Sequence, residues 1–489
     1  VLVRSGNMNT SDGTSRDVTC TSFEVEGTGT FTSNSSTITC SGDFIIADVA
    51  SIFSTGGSEV VLTGSGNLSN PRATNRFDDL TLSNGITTTL TGSVGVDATF
   101  TTGDATSTIQ DEVSAGHTIT LDGNGGTMVN NGAVWNNQNN LQLQYNSFSS
   151  AFSIIAGDFG TTDIEIRGNS STGTFAGNVT CGEFWMVASS SGIIDLDVHT
   201  LTCTDLLIGG STATATARFD AGTGTVDCSG DVTLRDGSGT FNILNAEGAS
   251  ISVAGSWVDQ GTNTTFNCGT STVTFDASSG TQQITSGGDS FYDLTLNNSG
   301  ATTQLLDALS VSNNMLLSAG ALDFNANNVS TTGDFTVNNG TSSTFVNLAG
   351  RTITVGGNAS FNGQSGNLLN LNTASEHWIT VTGSLDADYA NIGWSNAGSG
   401  STGSATAATC TNSGDNTNWN FVTPGNKTWA SNSSTDWNTD ANWSPSGVPT
   451  TTDTVIIDGT GSADCIMGSD ATVAAVRISA GELNTSDGT

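Results

Sequence analysis

The chain has 489 residues and carries 45 acidic against 10 basic side chains, a formal net charge of −35. Such a field repels nucleic acid and anionic membrane surfaces, and no window approaches the run of apolar residues that spans a bilayer, so nucleic-acid binding and membrane insertion are excluded as readings. Hydrophobic residues make up 35% of the chain and alternate with polar ones; with 61 Gly and 4 Pro they favour strands over helices or disorder.

From Val1 to about Ser384 one short pattern returns: a β-branched residue or leucine, a polar residue, then Cys or Val. It ends at Cys20, Cys40, Cys181, Cys203, Cys228, Val253 and Val355, with a weaker copy ending at Thr331. Neighbouring copies start 20 residues apart at Val18 and Ile38, 22 at Val179 and Leu201, 25 at Leu201, Val226 and Ile251, and 24 at Val329 and Ile353. A fixed motif at such a period marks a stacked-repeat fold, and its alternation makes each copy a strand with one face inward. The fold class expected is all-β: a parallel β-solenoid, or β-helix, of about 20 coils, right-handed as parallel crossovers are. Val253, Val355 and the five motif cysteines are expected to stack in one continuous core.

A second element, Thr-Phe, ends at Phe31, Phe175, Phe241, Phe266 and Phe345 and is read as another side of the same coil. Gly, Asn, Asp and Ser between the strands supply corners. A longer period lies above the coil: SEVVLTGS and FDDLTLSNG, from Ser58 and Phe77, return as STVTFDAS and FYDLTLNNSG from Ser271 and Phe291. Residues 1–220 and 221–383 are therefore taken as two solenoid halves.

After Ser384 the texture changes. Residues 384–421 read as a solenoid-terminating segment, and 422–489 as a junction segment that opens a further solenoid unit. Pro424, Pro445 and Pro449 and the tryptophans Trp419, Trp429, Trp437 and Trp443 crowd this stretch, and the four Trp are the candidate assembly junction. The chain closes on GELNTSDGT (481–489) and near its start reads GNMNTSDGT (6–14), 475 residues earlier. One unit is thus expected to end where the next begins. With no initiator Met and no signal peptide, the chain is expected to be a processed or internal segment.

The stretch GTSTVTFDASSGTQQITSGGDSFYDLTLNNSG (269–300) resembles the strand repeats of very large secreted and cell-surface proteins of bacteria and archaea. DYANIGWSNAG with NTNWNF is similar to the way such solenoids terminate, and TDWNTDANWSPSGVPTTTDTVII to the segment that opens one. The resemblance implies an extracellular or cell-surface structural protein. The usual order of opener, coils and terminator is permuted here, as in one frame of a tandem array.

Eight cysteines in such a protein suggest disulfides. Neighbouring strands about 4.8 Å apart bring in-register Cα atoms within disulfide range. Cys20 with Cys40 and Cys181 with Cys203 are the candidate bridges; the alternative is a ladder of buried thiols. Cys228, Cys268, Cys410 and Cys465 show no in-register partner. Asp195, Asp197 and His199 alternate with Ile194, Leu196 and Val198, which makes them a weak metal candidate and more readily a solvated strand face. A structural Ca²⁺ is the one cofactor entertained, although LDGNGGT (121–127) is a poor match to a calcium repeat. Asp78-Asp79 becomes Tyr292-Asp293 in the second half, so no acidic catalytic pair is retained and no enzymatic activity is expected. The sequons reflect the abundance of Asn, Ser and Thr. The function expected is a structural repeating unit of a filament, sheath or surface fibre, its partner itself, head to tail or as tandem copies in one chain. The alternative is an adhesin stalk with surface glycans as ligands; a carbohydrate-active β-helix enzyme ranks third.

Overall fold

The computed structural model describes residues 1–489 except 12–13, 49, 71–75, 113–115, 123–126, 137–140, 147, 149, 168–170, 188–191, 211–215, 238–240, 339–343, 399–402, 407–408, 423–424, 452 and 486–489. The calcium-repeat match at 121–127, much of both NTSDGT copies, Thr240 and Pro424 thus lie wholly or partly outside the described residues. Strands make up 57% of the structure and helix 1%, and the chain winds as a parallel β-solenoid of about 20 turns. Two units are distinguished, Val1–Gly333 and Asp334–Thr489. Among the described residues no helix is long and apolar enough to cross a membrane.

Three short strands make one turn of the first unit. Thr200–Cys203, Leu206–Ile208 and Arg218–Asp220 are followed by Thr225–Cys228, Val232–Leu234 and Asn242–Asn245, then by Ser250–Val253, Trp257–Asp259 and Thr264–Asn267. Each strand pairs in parallel with its counterpart one turn on, so Leu201, Val226 and Ile251 form one column and Phe219, Leu244 and Phe266 another. Alternation explains this arrangement. In Thr200–Cys203 the second and fourth side chains are buried and the first and third are not, and the same holds in Thr37–Cys40 and Thr272–Phe275. Every turn hands its backbone hydrogen bonds to its neighbours, and the inward columns close the core between the three sides.

The inward columns change character along the unit. Near the start they are aromatic: Phe23 stacks on Phe44 with centroids 4.6 Å apart and meets Phe31 edge-on at 4.8 Å. Later the strands lengthen. Asp293–Leu305 and Met315–Asp323 pass round a corner, pairing Leu294 with Met315 before an irregularity and Thr303 with Leu322 after it.

One corner shows how sterics set the turns. Asp197, Gly222, Glu247 and Gly269, on four successive turns, all have positive φ, between 48° and 59°. A Cβ on Gly222 would collide with the Asp197 carbonyl, and one on Gly269 with that of Glu247, so glycine alternates with a polar residue down the column.

Two expectations are corrected. Val253 and Val355 are both buried, but the pattern copies do not share one column. The 329–331 copy, strand Val329–Thr331, pairs with Leu309–Val311, which pairs with Ser290–Phe291, a ladder separate from that of Ser250–Val253. Within the second unit Thr352–Val355 pairs with Leu369–Val381, while Phe335–Asn338, Ala359–Asn362 and Leu385–Asp388 form the other ladder. Apolar–polar–apolar spelling is the same on every side of a coil, so spacing reveals the period and not the side. Second, Phe241 is 55% exposed, unlike Phe31, Phe175, Phe266 and Phe345. Asn242 takes the inward place, its amide donating to the Arg235 carbonyl at 2.6 Å and its Oδ1 accepting from the Ala217 N–H at 3.2 Å.

The second unit continues in parallel ladders and then changes at Asn426. Asn426–Trp429 pairs antiparallel with Trp443–Ser444 and parallel with Thr454–Asp458, which pairs in turn with Ala475–Ala480.

Candidate functional site

Carboxylates at the corners have a structural task. Where the chain leaves one side of a coil, a backbone N–H loses its ladder partner, and an Asp side chain on the adjacent turn accepts from it. Asp17 accepts from Thr37, Asp43 from Asn67, Asp205 from Asp231 and Asp231 from Ser256, at 2.6–2.9 Å. Asp307 reaches the other way, to the N–H groups of Ser286 and Gly287. Asp78 and Asp79 do both: Asp78 accepts from Gly57 and Ser58 on the preceding turn, and Asp79 from Thr99 on the next. Asp293, the second-half counterpart of Asp79, accepts from Asn314 at 3.0 Å. A backbone cap is therefore what the two halves retain at this position.

One stretch of this corner is crowded. Burial pushes the Asp163 carboxyl up, against the Glu183 N–H that it accepts at 2.8 Å, and Asp205 and Glu165 add to the rise. Burial likewise raises Glu183, followed by repulsion from Asp163, with Arg235 opposing. Arg235 lies over the Trp185 ring, 5.3 Å from its centroid. Asp259, nearly fully buried, is also raised by burial, while Thr264 and the Gly261 N–H donate to its Oδ1.

The metal candidate does not assemble. The strand stops at Asp195, whose Oδ1 accepts from the Asp197 N–H at 3.0 Å; Asp197 turns with φ 56° and is exposed. Val198, expected inward, is 62% exposed. The Asx turn thus breaks the alternation that would have set Asp195, Asp197 and His199 on one face. Among the described residues no group of three or more His, Cys, Asp or Glu side chains could hold a metal ion.

All eight cysteines are free thiols. Cys20 and Cys40 are in register, as expected, and the Cys20 thiol is pushed up to about 11 by burial and by Cys40. Register also sets Cys181 beside Cys203, since Thr180 faces Thr202. The expectation that Cys228 lacks a partner is corrected: it is in register with Cys203, and their sulfurs are 3.4 Å apart. Neighbouring strands stand about 4.8 Å apart, just beyond the roughly 3.5–4.5 Å Cβ separation of a disulfide, and in this structure the stacked cysteines stand as thiols.

Of the four junction tryptophans, three come together. Trp429, Trp437 and Trp443 form a buried cluster with Val455, Ile457 and Cys465. Trp443 meets the other two rings at 5.1 and 4.8 Å, and its indole N–H donates to the Trp437 carbonyl at 2.8 Å. Trp429 donates to the Ala463 carbonyl at 2.7 Å. Trp419 stands apart, bonded to the Ser395 hydroxyl. The three clustered rings are therefore buried within their own segment.

Beyond the cluster come two further strands separated by a left-handed glycine. Ala475–Ala480, Gly481 with φ 91° and Leu483–Asn484 repeat the layout of Leu2–Val3, Gly6 with φ 79° and Asn7–Asn9. Val476 and Ile478 extend the columns of Val455 and Ile457, yet are 45% and 54% exposed. At the first coil Met8 is 37% exposed and, with Thr10, Arg16, Asp17 and Val18, lines an open cleft of about 320 Å³. No protein-family model matches the chain, and neither curated proteins nor solved structures yield a significant match.

Proposed function

We propose that the chain is one period of a structural, extracellular β-solenoid that continues head to tail, either as tandem units of one polypeptide or by docking of separate copies. The observation that carries this reading is the recurrence, near the end of the chain, of the order of elements with which it opens. Strand, left-handed glycine and strand return 475 residues later, with Ile478 and Leu483 standing where Val3 and Met8 stand. The segment from Asn426 then opens a unit, and the Trp cluster fills the end of its core. A strand such as Ala475–Ala480, whose inward-column residues Val476 and Ile478 are half exposed, suits pairing with a further coil. A heterologous contact of this kind propagates and makes a fibre. No catalytic role is assigned, because the corner carboxylates already serve as backbone caps.

Electron microscopy of native material tests this reading. Filaments with an axial period on the order of 100 Å, from ~20 turns of ~4.8 Å, are expected. Discrete particles one unit long, with no tandem copies in the polypeptide, would overturn it.

A further inference from the structure

The Cys203–Cys228 pair has chemistry that its packing does not use. The two thiols are 3.4 Å apart, 3% and 1% exposed, and close a loop of 25 residues. We propose that Cys203 and Cys228 are joined by an inter-turn disulfide when the chain folds in the presence of a small-molecule disulfide, and that the bond no longer forms readily once the reduced turns have closed.

The geometry favours this pair. In-register strands set the Cα atoms about 4.8 Å apart, inside the roughly 4.4–6.8 Å that a disulfide spans, and the sulfurs need to close by about 1.4 Å to reach bonding distance. Both residues end their strands, at Thr200–Cys203 and Thr225–Cys228, where the corner begins and the backbone can yield by the roughly 0.3–1 Å that brings the Cβ atoms from about 4.8 Å into the disulfide range. Cys20 and Cys40 are also in register, but Cys20 is only partly buried, and the Cys40 thiol is directed at the carbonyls of Thr21, Gly42 and Asp43.

The timing follows from thiolate chemistry. A cysteine thiolate attacks the oxidant disulfide and releases one small thiolate. The second cysteine thiolate attacks the mixed disulfide and releases the other. Two protein thiols thus lose two protons and two electrons, and one oxidant disulfide becomes two thiols. In the folded chain the contact with Cys228 and burial hold the Cys203 thiol well above its ordinary range, and the oxidant has no access to either sulfur. The open chain has neither restriction. Cys181, stacked on the other side of Cys203, is the competing thiol.

The test is to synthesise the full chain in cell-free translation with a mixture of oxidised and reduced glutathione, and separately to synthesise it reduced and add the same mixture after folding. Both samples are alkylated, digested without reduction and examined by mass spectrometry. Linked Cys203–Cys228 peptides are expected in the first sample, about tenfold less in the second, unchanged in Cys181→Ser and absent in Cys203→Ser. Alkylated Cys203 and Cys228 in the first sample, a dominant Cys181–Cys203 link, or equal yields in the two samples would overturn the proposal.

Discussion

The carboxylate of Asp231 accepts the backbone N–H of Ser256, one turn further along, at 2.6 Å, while the N–H of Asp231 is itself held by Asp205 on the turn before. Successive turns are thus tied by a chain of side-chain caps along one corner. Part of the acidic excess of this sequence is structural for that reason. Asp231→Ala is expected to cost about 1–2 kcal/mol, the scale of a lost cap to a backbone N–H, and Asp231→Asn much less, because the amide oxygen still accepts. Urea unfolding and hydrogen exchange at Ser256 measure both; equal losses for Ala and Asn would show that the cap is not what Asp231 contributes.

Asp163 and Glu183 pull stability the opposite way. Both carboxyls are raised in the fold, first by burial and then by neighbouring acids. The folded state therefore binds more protons than the unfolded one between the ordinary and the raised values. Stability from this pair is present below the unfolded pKa and is lost as pH rises through the folded one. Glu183→Gln is expected to raise the unfolding midpoint modestly at pH 7 and to leave it unchanged near pH 3. A fall at pH 7 would refute the assignment.

His377 is fully buried, with Nδ1 3.1 Å from the Thr373 hydroxyl, and burial lowers its pKa to about 4. The neutral ring is favoured in the fold, while the unfolded chain takes up the proton near pH 6.5. Stability is complete above that value and falls as pH drops from 6.5 toward 4, by on the order of 3 kcal/mol. Thermal melts of the wild type should show this slope superimposed on those of the carboxylates, and His377→Gln should flatten it. An unchanged slope in the variant would place the titration elsewhere.

Phe23 is fully buried and touches Phe31, Phe44 and Phe53. Phe23→Ala is expected to cost about 3–5 kcal/mol, concentrated in the first turns because each turn depends on its neighbours. Limited proteolysis should cut within the first sixty or so residues before the rest of the chain yields. Uniform resistance would mean that the aromatic stack is not what holds these turns.

The parallel solenoid was legible in the residues from Val18 to Val355, because a motif with apolar first and third positions every 20 to 25 residues can bury its apolar side only by stacking on itself. The register of Cys20 with Cys40 followed from the same spacing. Other features were decided in three dimensions. The alternation in 194–199 could not reveal that the Asp195 carboxylate would cap the Asp197 N–H and turn Val198 outward, nor could the Thr-Phe spelling reveal that Asn242 would displace Phe241. Both outcomes rest on which backbone groups a corner leaves unpaired. The partner of Cys228 depended on which side of a coil its strand occupies, and the burial of the three tryptophans on how the segment from Asn426 folds on itself. Local alternation is identical on every side, and only the closing of the turns around a shared core distinguishes one side from another.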